Sequence, residues 1–215
     1  MNNKLSVTYL ILIITSFVLG CRGPVKEENK NALESSLSLD SGNEKYVIDT
    51  KESVVTWKGS NLMGSNSHRG YVYISKGELI IKNGQLMGGT AEVDMNTIED
   101  EKHARHNGLV DHLKEPDFFD VKKFPTSTIV LTKTATINSK NMKVAGNLTI
   151  KGITQQVSFP AKMEFKNGIA KLNGRLVIDR TKWDIRYKSG KFYNLLADQT
   201  ISDSIEFHIK IVAKK

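Results

Sequence analysis

Apolar and polar residues alternate along most of this chain, most regularly between Lys143 and Phe165. In the sequence KVAGNLTIKGITQQVSFPAKMEF, an apolar or small residue occupies every second position on each side of the segment Lys151-Gly152-Ile153-Thr154. A period of two residues predicts strands with one face toward a core and the other toward water. Because a short segment containing glycine joins the two runs, the stretch predicts an antiparallel β-hairpin.

The same alternation recurs before and after this hairpin and predicts eight or nine antiparallel strands in about 170 residues. One of them is a separate short strand at Glu78-Leu79-Ile80-Ile81. A sheet of that size buries its single apolar face most simply by closing on itself, so the prediction is an all-β fold with one antiparallel barrel. The inward positions mix glycine and alanine with large aliphatic residues, which favours an interior that holds one small elongated ligand.

The alternation breaks between Glu99 and Phe124. Leu109 and Leu113 stand at helical spacing there, and a cluster of phenylalanines follows. We therefore predict a short helix and a loop that close one end of the barrel as a plug or lid. The phenylalanines fit either a plain core or the wall of a ligand site.

The first 20 residues have the pattern of a signal peptide. The apolar run from Val7 to Leu19 is too short to span a bilayer of roughly 30 Å. It ends in Val18-Leu19-Gly20-Cys21, which resembles the lipobox of bacterial lipoproteins, where cleavage precedes a cysteine that carries the lipid. Cys21 is the only cysteine, so it has no partner for an internal disulfide. The prediction is an acylated Cys21 that anchors the protein to a membrane of the bacterial envelope.

Residues 21–43 are rich in charged and polar residues and predict a flexible tether ahead of a barrel domain at residues 44–215. The whole chain carries a net charge of +8. Export argues against nucleic acid as the partner, so attraction to anionic lipid headgroups is the more economical interpretation. An outer-membrane barrel is excluded because it would place outward lysines in lipid at about 2 to 4 kcal/mol each near the midplane.

Four segments of the chain resemble the YceI-like family. They are Tyr46-Val47-Ile48-Asp49, Leu113-Lys114-Glu115-Pro116-Asp117-Phe118-Phe119-Asp120 with Phe124-Pro125, Val144-Ala145-Gly146-Asn147-Leu148-Thr149-Ile150-Lys151-Gly152-Ile153-Thr154, and Asp179-Arg180-Thr181-Lys182-Trp183 with Ile201-Ser202-Asp203. Trp183-Asp184 stands where the family often has Phe-Gly. The resemblance covers roughly Glu44 to Lys215 and implies a lipocalin-like barrel whose cavity holds a polyisoprenoid or similar amphiphile.

The sequence shows no pattern of an enzyme. No Gly-x-Ser-x-Gly motif occurs, and the acidic residues fall on positions predicted to face water. His103, His106 and His112 with Asp111 have a spacing that a zinc site uses, but Asn107-Gly108 interrupts the helix that would align them. We therefore predict no enzymatic activity, no metal and no cofactor.

The predicted function is binding of a long apolar lipid, such as a polyisoprenoid or an isoprenoid quinone, for carriage or storage. A buried isoprene unit contributes on the order of 3 kcal/mol before ordering costs, so a few units would support tight binding. The alternative is a filled barrel that contacts another envelope protein, and a homodimer is compatible with both. The predicted cavity lining is Trp57, Val93, Phe118, Phe119, Leu131, Leu148, Phe159, Leu172 and Phe207.

Overall fold

The computed structural model describes residues 42–138 and 140–215. The predicted signal peptide, Cys21 and most of the predicted tether lie outside the described residues. Within them, no helix is long and apolar enough to cross a membrane. The described residues form one antiparallel sheet of nine strands, one α-helix and one 3₁₀ helix.

The alternation of apolar and polar residues sets the faces of these strands. Along β8, for example, Ala170, Leu172, Leu176 and Ile178 are buried, whereas Lys171 and Arg175 between them are exposed. The strands are β1 (Glu44–Ile48), β2 (Val54–Ser60), β3 (Ser67–Lys82), β4 (Gln85–Asp100), β5 (Thr126–Thr136), β6 (Asn141–Ile150), β7 (Ile153–Lys166), β8 (Ile169–Asp179) and β9 (Ser204–Lys214).

The sheet closes into a barrel with eight strand positions. The strand order is β1-β3-β2-β9-β8-β7-β6-β5-β4, and pairing of β3 with β4 completes the circle. β1 and β2 share one position, because each of them pairs with both β3 and β9 at different heights. This arrangement confirms the predicted all-β antiparallel barrel of about eight strands. Closure leaves the apolar face inside and water on the polar face.

One strand differs from the sequence prediction. The segment Glu78-Leu79-Ile80-Ile81 is no separate strand, since β3 runs unbroken from Ser67 to Lys82. Irregular pairing with β4, including the step between Ile74 and Lys76, bends β3 and shifts which of its residues face inward. The β6–β7 hairpin is present as predicted, with a two-residue turn in which Lys151 (φ 50°) and Gly152 (φ 72°) both adopt left-handed conformations.

The predicted short helix forms as α1 (Gly108–Lys114). Asn107 begins this helix instead of interrupting it, because its side-chain oxygen accepts a hydrogen bond from the Val110 amide at 2.9 Å. Val110 and Leu113 are buried on the face toward the barrel, and Phe118 and Phe119 are buried just beyond the helix. The segment therefore lies on the barrel as the predicted lid.

The segment after β8 forms a tight corner. A 3₁₀ helix spans Arg180–Trp183, and both of its terminal side chains are buried. Asp184 ends the helix with φ 59°, a left-handed conformation that glycine adopts without strain. At this corner aspartate therefore holds a backbone conformation that glycine adopts more readily.

Glu99 at the end of β4 departs from the prediction that acidic residues face water, because only 3% of it is exposed. Its carboxylate accepts hydrogen bonds from the Tyr73 hydroxyl at 2.5 Å and from Arg105 Nε at 3.2 Å, and His103 Nδ1 lies 2.5 Å away. Burial raises the pKa of Glu99, but these hydrogen bonds outweigh it and leave the pKa below the usual range. The hydrogen bond to Glu99, together with burial, raises the pKa of Tyr73 to about 12. Glu99 therefore ties the segment before α1 to the wall of the barrel.

Acid should weaken the hydrogen bonds that the Glu99 carboxylate accepts from Tyr73 and Arg105. Since the folded state lowers the pKa of Glu99, its contribution is present above the ordinary value of 4.5 and is lost as pH falls below it. We expect Glu99→Gln to cost about 1 to 3 kcal/mol at neutral pH and to show a smaller further loss on acidification than the parent. Urea unfolding at pH 7 and in mild acid measures both. Equal losses on acidification in the two proteins would contradict the assignment.

Candidate ligand-binding cavity

The barrel encloses a cavity with a volume of about 570 Å³. This lies within the range of roughly 300 to 1,000 Å³ that is typical of small-molecule sites. Val55, Val93, Ile129, Leu148 and Phe207 point inward but are only partly buried, because one side of each borders the cavity. The interior is therefore hollow, and the filled barrel of the alternative hypothesis does not describe it.

All nine residues predicted from the sequence line this one cavity. They come from seven strands and from the segment after α1, so closure of the barrel brings them together. Gly174 leaves room for the Phe159 ring, because a β-carbon at this glycine would lie 2.9 Å from that ring. The structure thus supplies a continuous apolar wall, whereas occupancy by a ligand stays a prediction.

The two ends of the barrel differ. At the end with the β3–β4, β5–β6 and β7–β8 turns, Ile81, Leu86, Met142 and Met163 are buried but do not line the cavity. Their side chains fill that end as ordinary core. The cavity therefore occupies the half of the barrel nearer to α1 and the 3₁₀ helix.

At the opposite end the cavity reaches solvent between two loops. Exposed polar residues of the β2–β3 loop and of the long loop before β9, among them Asn66, Lys188 and Gln199, belong to its lining. The Leu62 amide donates to the Thr200 carbonyl at 2.8 Å, and the Ser202 amide donates to the Ser60 carbonyl at 2.9 Å. Backbone hydrogen bonds thus join the two loops into one side of the mouth.

Arg180 is a buried charged residue of the lining that sequence reasoning did not assign to the cavity. It is only 1% exposed and donates to the carbonyls of Ser202 (3.0 Å), Ile185 (2.8 Å) and Ile201 (3.1 Å). Its guanidinium lies 5.8 Å from the centre of the Phe118 ring, and burial lowers its pKa. The alternation along β8 gave no signal for it, because Arg180 begins the 3₁₀ helix, where the period of two has ended. Arg180 fixes the loop that borders the mouth.

Two residues of the cavity wall carry a polar atom that has no hydrogen-bond partner in the protein. Within the part of the chain that the structure describes, Trp57 Nε1 and Ser127 Oγ are buried and make no hydrogen bond. Both residues line the cavity. A buried donor without a partner costs free energy, so a ligand oxygen that reached either atom would be stabilised.

The three histidines near α1 lie in separate surroundings. His103 contacts Glu99 and stacks on Tyr71 with ring centres 4.8 Å apart, whereas His106 Nδ1 lies 3.3 Å from Asp111. His112 packs edge-on against Tyr187. Across residues 42–138 and 140–215, no group of three or more potential ligands is placed to hold a metal ion.

The fold and the cavity together define a hollow antiparallel barrel with an apolar interior. Residues 46–213 match the model of the YceI-like domain, and the chain belongs to that family. A UPF0312 protein of Shewanella denitrificans is 29% identical over 123 residues, covering 54% of this chain and 60% of the relative. The chain thus spans about 60% of the length of the first curated relatives it matches.

Two solved structures share the architecture. BcnA of Burkholderia cenocepacia aligns with a TM-score of 0.60 at 18% identity, covering 78% of this chain and 99% of BcnA. A polyisoprenoid binding domain from Saccharophagus degradans, implicated in plant cell wall breakdown, aligns with a TM-score of 0.56 at 11% identity, covering 79% and 97%. At these identities the likeness shows the fold.

Proposed function

We propose that this protein binds one long apolar amphiphile, of the polyisoprenoid or isoprenoid quinone class, inside the barrel. The observation that carries the proposal is the hollow, apolar cavity of about 570 Å³, which reaches solvent between the two loops of its mouth. Family membership and the fold shared with a polyisoprenoid binding domain support the same ligand class.

The chemistry of the lining suits such a molecule. An apolar chain would bury its surface against aliphatic and aromatic side chains at about 25 cal/mol for each Å² removed from water. Most polar residues of the lining gather at the mouth, where a headgroup would stay hydrated. Trp57 Nε1 and Ser127 Oγ would favour a ligand with an oxygen along its length. The role is binding rather than catalysis.

The proposal includes the location of the protein in the cell. The lipobox-like segment that ends at Cys21 supports a lipid-anchored protein of the bacterial envelope, at the outer membrane on its periplasmic or surface face. An anchored barrel would carry or store its lipid beside the membrane that supplies it.

Extraction of the purified protein tests the ligand. The full chain is expressed with its own signal in a bacterial host, purified in mild detergent, and extracted with organic solvent for lipid mass spectrometry. We expect one long apolar species at about one molecule per protein, separate from any acyl chains released from Cys21. A protein that is empty and takes up no fluorescent apolar probe would instead favour a module that contacts another envelope protein.

A further inference from the structure

The loops at the mouth of the cavity carry an unusual concentration of exposed apolar side chains. Five of the ten exposed large hydrophobic residues of the described chain lie there, which is more than chance scatter over the surface would give. They form what we name the apolar rim: Leu62, Met63, Phe192, Tyr193 and Leu196.

The apolar rim is one surface, although it comes from two loops. Leu62 and Met63 belong to the β2–β3 loop, which the Leu62 amide joins to the Thr200 carbonyl of the second loop at 2.8 Å. The Thr200 amide in turn donates to the Leu196 carbonyl at 3.0 Å. The rim is therefore held beside the opening through which a ligand must pass, and it does not extend over the rest of the barrel.

Cations accompany the apolar rim. Arg186 lies 4.7 Å from the centre of the Phe192 ring, and Lys188 lines the mouth itself. Arg186 and Lys191 have carboxylate partners, Asp184 and Asp179, each at 2.6 Å. Other cations of this region have no carboxylate partner among residues 42–138 and 140–215, namely Lys58, Lys182 and Lys188. Exposed leucine, phenylalanine and tyrosine beside unpaired lysines are the side chains with which proteins enter the headgroup region of an anionic bilayer.

We propose that the apolar rim docks on the surface of a bilayer that contains anionic lipid, with the mouth of the cavity facing the membrane. The proposal rests on the proposed function, because a docked mouth lets the amphiphile move between bilayer and barrel without crossing water. Lys58 and Lys188 would contact lipid phosphates while the apolar tips enter the acyl boundary. The polypeptide ahead of the barrel would keep the domain near the membrane, and the rim would set its orientation.

Depth-dependent quenching tests the orientation. Leu196→Cys and Ile137→Cys place an environment-sensitive fluorophore on two similarly exposed sites, 69% and 68%, at the mouth and at the opposite end. The full chain is reconstituted in vesicles of phosphatidylethanolamine and phosphatidylglycerol with spin-labelled lipid, and the parent, treated identically, is the blank for Cys21. We expect quenching several-fold stronger at position 196 than at position 137. Equal quenching at the two sites, or none at either, would overturn the proposal.

A transfer assay tests whether docking speeds the movement of the amphiphile from the bilayer into the barrel. Leu62→Asp with Leu196→Asp should slow uptake of a dansyl-labelled geranylgeranyl lipid from those vesicles by at least about tenfold. Val47→Asp with Ile137→Asp, at two exposed apolar sites away from the mouth, should leave the rate unchanged. Equal rates in both pairs would overturn the proposal. If even the parent takes up no probe from detergent, the proposed function fails, while the quenching experiment still decides the orientation.

Discussion

Leu148→Asp is expected to empty the cavity and to leave the barrel folded. Leu148 is only partly buried, and its side chain borders the cavity on β6. In the empty protein, water that enters through the mouth can hydrate the new carboxylate. A bound apolar chain would strip that water away and leave a charge against hydrocarbon, so loading should fall by more than about a hundredfold. Lipid mass spectrometry of the purified variant, with circular dichroism for the fold, measures both.

The matched control for this variant is Asn147→Asp. It introduces a carboxylate on the same strand, one residue away, and position 147 does not line the cavity. The control should load lipid as the parent does. Phe159→Asp is a poorer test, because Phe159 is 4% exposed and its loss would damage the core as well as the site. A Leu148→Asp protein that folds and still carries its lipid would refute the proposed site.

The strands and the cavity lining could be predicted because they depend on a single property, the period of two. Once alternation says which face is inward, closure of the barrel brings distant positions such as Trp57, Leu131 and Phe207 together, whatever the details of their loops. Bends within a strand could not be predicted in this way. The bulges that carry β3 through Glu78 to Lys82 depend on pairing with β4, which periodicity within one strand does not encode.

Polar groups that turn inward were beyond sequence reasoning. Glu99 and Arg180 have the residue types of surface positions, and each is buried because the fold brings together partners that satisfy it. For Glu99 the partners include Tyr73 on the neighbouring strand, and for Arg180 they are the carbonyls of the loop before β9. The apolar rim was also not predicted from the sequence. Isolated exposed leucines are ordinary, and only the joining of two loops makes them a surface.

Arg180→Met is expected to be the most destabilising of these substitutions, at about 3 to 5 kcal/mol. Methionine has similar length but no donor, so the carbonyls of Ser202, Ile185 and Ile201 would lose their partner inside the protein. Asp203, which lies 3.5 Å from the guanidinium, would also lose its buried counter-charge. Because these carbonyls fix the loop beside the mouth, hydrogen exchange of residues 185–202 should accelerate together with the loss of stability in urea.

Arg175→Met is the matched control for this loss. Arg175 lies on the same β8 strand and makes two hydrogen bonds to Glu206, at 2.8 and 2.9 Å, but its side chain is 57% exposed. Water can replace those bonds, so removal should cost far less than removal of Arg180. Arg180→Lys separates charge from geometry: it keeps the cation but cannot reach three carbonyls in a fixed fork, and it should fall between the parent and Arg180→Met. If Arg180→Met were no less stable than Arg175→Met, the buried guanidinium would not be what holds the mouth.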